Sequence, residues 1–130
     1  MIRPVRATVR WAGRRALARA GIRRTGDHWV WVGGPVPPGA DAITMWSLVS
    51  VRRAVAGDAR LLAHEAAHVR QWRSLGVRGF LRAYLGAYLA ARRLGYGHVA
   101  AYRLIPLEID AERAAARVVR PRPEAGGGLP

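Results

Sequence analysis

At Asp58 the spacing of apolar residues changes period. Upstream, HWVWV (28–32) is an alternating run of aromatic and β-branched residues, which reads as a strand. GGPVPPGAD (33–41) follows, and its Gly and Pro content excludes helix. ITMWSLVSV (43–51) is a second apolar, β-rich run. The loop between the two runs is too long for a tight hairpin, and antiparallel pairing is the expected arrangement. Downstream of Asp58, apolar residues recur at helical spacing. Strands first and helices afterwards define an α+β chain: a short antiparallel sheet, then a long helix and two further helical segments.

The helical half has its own punctuation. Asp58 suits the N-cap of a helix running to about Leu75, and Gly76 suits its stop. A second helix covers about 77–94, with Leu81, Tyr84, Leu85, Tyr88 and Leu89 at helical spacing and Gly95 and Gly97 beyond its end. A third stretch begins near His98, is interrupted at Pro106 and continues to about Val119. Residues 1–26 carry eight arginines and no acid, which reads as a basic arm or short amphipathic helix. Residues 120–130 are Pro/Gly-rich and read as a disordered tail. The folded domain is therefore expected over residues 27–119, and the 130-residue chain is the size of one domain.

The formal charge of +14 comes from 22 arginines without a single lysine. Such a charge attracts nucleic acid, acidic protein or anionic lipid, and a solvated basic surface is the plainer alternative. Residues 1–26 lack the apolar run of a secretory signal, and FLRAYLGAYLA (80–90) is too short to span a bilayer and contains Arg82. The expected location is cytoplasmic, with membrane-surface association of helix 79–94 and the basic N-terminus ranked last. A helix apolar on most sides is normally buried.

The chain has four histidines and eight acids, yet LLAHEAAHVRQW (61–72) places two His and one Glu within five positions. Side chains four apart share one helix face. His64 and His68 can therefore direct two imidazoles at one ion, half of a tetrahedral zinc shell. Glu65, at the edge of that face, can reach a water activated by the ion and take its proton as it attacks a carbonyl. There is no cysteine, so any zinc must be held by His and carboxylate.

A catalytic zinc usually takes three protein ligands. The remaining choices are His28, His98 and the carboxylates. No acid occurs between Glu65 and Glu108, after which PLEIDAERAA (106–115) supplies Glu108, Asp110 and Glu112. Glu108 and Glu112 share a helix face, whereas Asp110 is rotated by about 200°. Glu108 is the preferred third ligand, with Glu112 behind it accepting the free N–H of a ligand His. Acids in a first helical turn also stabilise the helix dipole without any metal.

HEAAH followed by E-I-D-A-E resembles the zincin metallopeptidases of the glutamate-ligand type, the gluzincins. It is also similar to small bacterial zincin-like domains with an HExxHxxQ helix, in which Gln71 here would match the final Gln. The resemblance covers about residues 58–117. It implies a zincin-like fold, Zn2+ held by His64, His68 and Glu108, Glu65 as general base, Gln71 and Glu112 behind the ligands, and a peptide or protein substrate. It further implies that ITMWSLVSV is the sheet edge that pairs with extended substrate. The chain departs from the pattern in carrying Glu112 where many of these enzymes have Asp. It also has 39 residues between His68 and Glu108. No residue is marked as the transition-state stabiliser; Tyr102 and His98 are the candidates. A non-catalytic, zinc-stabilised basic module that binds nucleic acid or an acidic partner is the competing function.

Overall fold

The computed structural model describes residues 15–119. The N-terminal part of the basic arm and the tail at 120–130 lie outside the described residues. Four strands form one sheet: β1 (Ile22–Thr25), β2 (His28–Val32), β3 (Ala42–Met45) and β4 (Leu48–Val51). Three helices follow: α1 (Ala59–Arg93), α2 (His98–Arg103) and α3 (Pro106–Val119). The α+β class and the order of sheet before helices are those expected from the change of period at Asp58.

The sheet differs in its details. It starts earlier than the apolar pattern suggests, because Ile22–Thr25, within the basic arm, pairs antiparallel with β2. Residues 43–51 are not one strand. The run folds back at Trp46, whose φ of 58° turns the chain, so β3 and β4 form an antiparallel hairpin. This reversal sends β4 alongside β2 in the same direction, and the expected antiparallel pairing of these two runs is a parallel one. The strand order is β1-β2-β4-β3, which leaves β3 as an edge and β4 inside the sheet. Only the first half of ITMWSLVSV therefore lies at the edge.

Asp58 caps α1 by accepting from the backbone N–H groups of Arg60 and Leu61, at 2.9 and 3.1 Å. The first half of α1 lies on the sheet, where Val69 joins Val30, Val49 and Val51 in the core. Each of these fully buried valines contributes on the order of 1.5–3 kcal/mol. Gly76 breaks the helix with φ 70° and ψ 173°, a conformation open in practice only to glycine. The segment beyond it turns Phe80 and Ala91 inward.

Its leucines do otherwise. Leu81, Leu85 and Leu89 are exposed, against the expectation that a helix so apolar is buried, because the described residues cover only one flank of this segment. No helix among the described residues is long and apolar enough to cross a membrane. Helix α3 returns across α1 on a face of small residues; Ala111 and Ala115 are fully buried or nearly so. Their size lets the two helices approach closely, and that approach brings acids from α3 to histidines on α1.

Candidate metal centre

His64 and His68 project from adjacent turns of α1, and Glu108 meets them from the first turn of α3. His64 Nε2 and His68 Nε2 are 3.1 Å apart. Glu108 Oε2 is 3.1 Å from His64 Nε2, and its Oε1 is 3.2 Å from His68 Nε2. A tetrahedral zinc with bonds of about 2.0–2.1 Å has ligand–ligand edges of about 3.3–3.4 Å. These separations, which use both oxygens of Glu108, are close to that size, and the three side chains form a group able to hold a metal ion.

The hydrogen bonds behind the triangle decide what it attracts. His68 Nδ1 is 2.8 Å from Gln71 Oε1, and Gln71 Nε2 donates to the carbonyl of Leu107 at 2.9 Å. The amide nitrogen is thus committed, leaving its oxygen as the acceptor for an Nδ1–H. His64 Nδ1 is 3.1 Å from Glu112 Oε1, a carboxylate that can only accept. Both neutral rings therefore carry their hydrogen on Nδ1 and present lone pairs from Nε2. Two ring lone pairs and a carboxylate, all acceptors, converge at about 3 Å with no donor among the three groups. Such a set is repulsive without a cation between its members. The donor chemistry and the spacing both fit zinc.

Electrostatics agree. Burial of His68 disfavours its imidazolium, but hydrogen bonding to Glu108 and the charge of that carboxylate outweigh burial and raise its pKa above the usual value. Burial alone would raise the pKa of Glu108; the Tyr84 hydroxyl and the Nε2–H that each imidazole gains only on protonation instead hold it well below the usual carboxylate range. The cluster favours positive charge.

Two participants escape motif reading. Tyr84, at helical spacing with the leucines of α1, donates its hydroxyl to Glu108 Oε1 at 2.6 Å. Burial and then Glu108 keep this phenol protonated, with its pKa raised. Thr44, on β3, donates to Glu65 Oε2 at 2.6 Å. The signal for Tyr84 was an aromatic column, Phe80 and Tyr84 stacked with centroids 5.4 Å apart, in which only one member carries a hydroxyl. Thr44 carries no local signal, since its partner lies 21 residues away.

The remaining residues are placed as follows. Glu65 is buried and borders an open cleft of about 920 Å³, shared with His64, Glu108, Glu112 and Tyr102. Tyr102 is partly exposed there, and burial followed by the nearby Glu108 raises its pKa. Glu112 also accepts from Arg60 at 2.8 Å. Asp110 points away and lies 3.6 Å from Arg113. His98 bonds Tyr88 at 2.8 Å, outside the cleft lining. His28 sits at the start of β2, 2.9 Å from Asp27, which also pairs with Arg73. Neither His28 nor His98 belongs to the three-residue group.

The His64-Glu65-x-x-His68 helix with Glu108 forms a metal-binding triad of the gluzincin-like pattern, and its geometry is consistent with a metal-dependent protease site. No protein-family model, curated protein or solved structure matches the chain.

Loss of the support behind His68 has a defined expected result. Gln71→Ala leaves the ring free to rotate and removes the acceptor that sets its tautomer. Zinc affinity, measured by competition with a chelating dye, is expected to fall about 10–100-fold while the circular dichroism spectrum is retained.

Proposed function

We propose that the protein is a zinc-dependent peptidase. His64, His68 and Glu108 are the ligands, Glu65 is the general base, and Gln71 and Glu112 fix the two imidazoles. Zinc in this position supplies Lewis-acid activation of a water and of the substrate carbonyl. Glu65 takes the proton of the attacking water and passes it to the leaving amine. Thr44 holds one carboxylate oxygen of Glu65, which leaves the other for proton transfer. Tyr102, kept protonated and open to the cleft, can donate to the oxyanion that develops on the carbonyl. His98 has no part in this reading. Tyr84 orients Glu108.

The observation that carries the proposal is the convergence of two ring lone pairs and one carboxylate beside a buried second carboxylate, all at the wall of an open cleft. A purely structural zinc site is closed by four protein ligands, whereas a catalytic one keeps a position free. Three ligands and an open cleft favour catalysis over the non-catalytic module. The free edge of β3, bordering the cleft through Ala42 and the preceding Asp41, suits pairing with an extended peptide backbone. Such pairing reads backbone more than side chains, and broad sequence tolerance follows.

The test is proteolysis of an unfolded protein such as reduced casein. Cleavage is expected with zinc-loaded protein, absent after chelation, and restored by zinc. Zinc-loaded protein that leaves unfolded casein and unstructured peptides intact would remove the peptidase reading.

A further inference from the structure

Past its kink, α1 carries a face that no described residue covers. Phe80 and Ala91 are buried and Tyr84 reaches Glu108, so one flank of the segment faces inward. Val77, Leu81, Leu85 and Leu89 follow one another at four-residue steps, and each is between 41 and 52% exposed. Each step advances about 40° around the helix. The four side chains therefore form one slowly winding ridge. Beyond the helix end Leu94 and Val99 are also exposed, at 79 and 59%.

Charge flanks the ridge. At 100° per residue, Arg78, Arg82 and Arg93 line its side away from Tyr84, and Arg92 lies on the ridge itself. All four are exposed, and no carboxylate among the described residues pairs with them. From residue 66 to 107 the chain has seven arginines and no acid.

This combination selects the occupant. A second copy would bring two arginine rows together without a carboxylate between them, on molecules of charge +14 each. The chain's own residues 1–14, with four arginines and no acid, are repelled as well. A bilayer containing anionic lipid offers phosphates to the guanidiniums and acyl chains to the leucines at adjacent depths.

We infer that the Val77–Leu81–Leu85–Leu89 ridge docks the protein on an anionic lipid surface, with the second half of α1 lying in the interface plane. The helix lies on the membrane and does not span it. Tyr84 follows Leu81 by three positions and touches Glu108 from the neighbouring flank. Docking thus holds the metal cluster within one tyrosine side chain of the helix that meets the lipid. The inference is independent of whether the cluster holds a metal or cuts peptides.

The experiment is co-sedimentation of the full chain with vesicles of equal phosphatidylglycerol and phosphatidylcholine, against phosphatidylcholine alone. Wild type is expected to pellet with the anionic vesicles and to stay in solution with the neutral ones. The triple variant Leu81→Gln, Leu85→Gln, Leu89→Gln keeps every charge, and its partitioning should fall by about tenfold or more. Its exposed positions should leave the circular dichroism spectrum unchanged. Should the triple variant not fold, Leu85→Gln alone should still lose about threefold. The inference is overturned if wild type ignores anionic vesicles at low salt. It is equally overturned if folded leucine variants bind like wild type, because charge alone then drives binding. Sedimentation equilibrium showing a dimer that the leucine variants dissolve, without vesicle binding, would assign the ridge to a second copy. Retention by an acidic protein but not by vesicles would assign it to a protein partner.

Discussion

Purified His64→Ala is expected to lose zinc on dialysis, whereas the wild-type chain is expected to retain one equivalent by elemental analysis. The size of the effect follows from ligand count. Structural zinc sites bind with roughly 10–16 kcal/mol, and one of four ligands' share is about 2.5–4 kcal/mol. Loss of one imidazole should weaken binding by about two to three orders of magnitude. Glu108→Gln is the sharper variant, because it keeps the shape of the third ligand and removes its charge. Tyr84 would still find an oxygen on the amide, so the packing of α3 on α1 should survive. Zinc content should nevertheless drop, and with it the rise in melting temperature that zinc confers on wild type by binding the folded state. Full zinc retention in Glu108→Gln would place the third ligand elsewhere and undo the assignment of this cluster.

The histidine pair was legible because its geometry is local. Four residues on one helix suffice to face two rings together, and Asp58 capping and the Gly76 break are local signals too. Glu108 was legible for another reason: the acid-free stretch before it and its shared face with Glu112 narrowed the choice among the carboxylates. The sheet was less readable. Nothing in ITMWSLVSV marks Trp46 as a turn residue, since non-glycine residues seldom take positive φ, and a continuous apolar run hides a reversal. Tyr84 and Thr44 were hidden because their partners are long-range, at separations of 24 and 21 residues. The exposure of Leu81, Leu85 and Leu89 could not be read at all. Helical spacing marks an apolar stripe but not whether the fold has a second layer to put against it.

Glu65→Gln separates binding from turnover. The amide keeps the size of the carboxylate and can still meet Thr44, so the buried position stays filled and the ligand triangle is untouched. Zinc content should equal that of wild type. What disappears is the proton acceptor, and kcat on an unfolded substrate should fall by about 10²–10⁴ with little change in KM. Thr44→Val tests how that acceptor is held. The substitution removes the Thr44 hydroxyl from Glu65 Oε2 while preserving β-branching on the edge strand. Loss of one orienting hydrogen bond should lower kcat by about tenfold, at unchanged zinc content, and Thr44→Ser should recover most of it. A merely structural Thr44 would instead shift the melting temperature and leave kcat of the folded fraction alone. If Glu65→Gln cleaves at the wild-type rate, proton transfer does not pass through this carboxylate. The cleft would then need another base within reach of the substrate, and its other acids are poorly placed for it: Asp41 and Asp58 are exposed, Glu112 is tied to His64 and Arg60, and Glu108 to both rings.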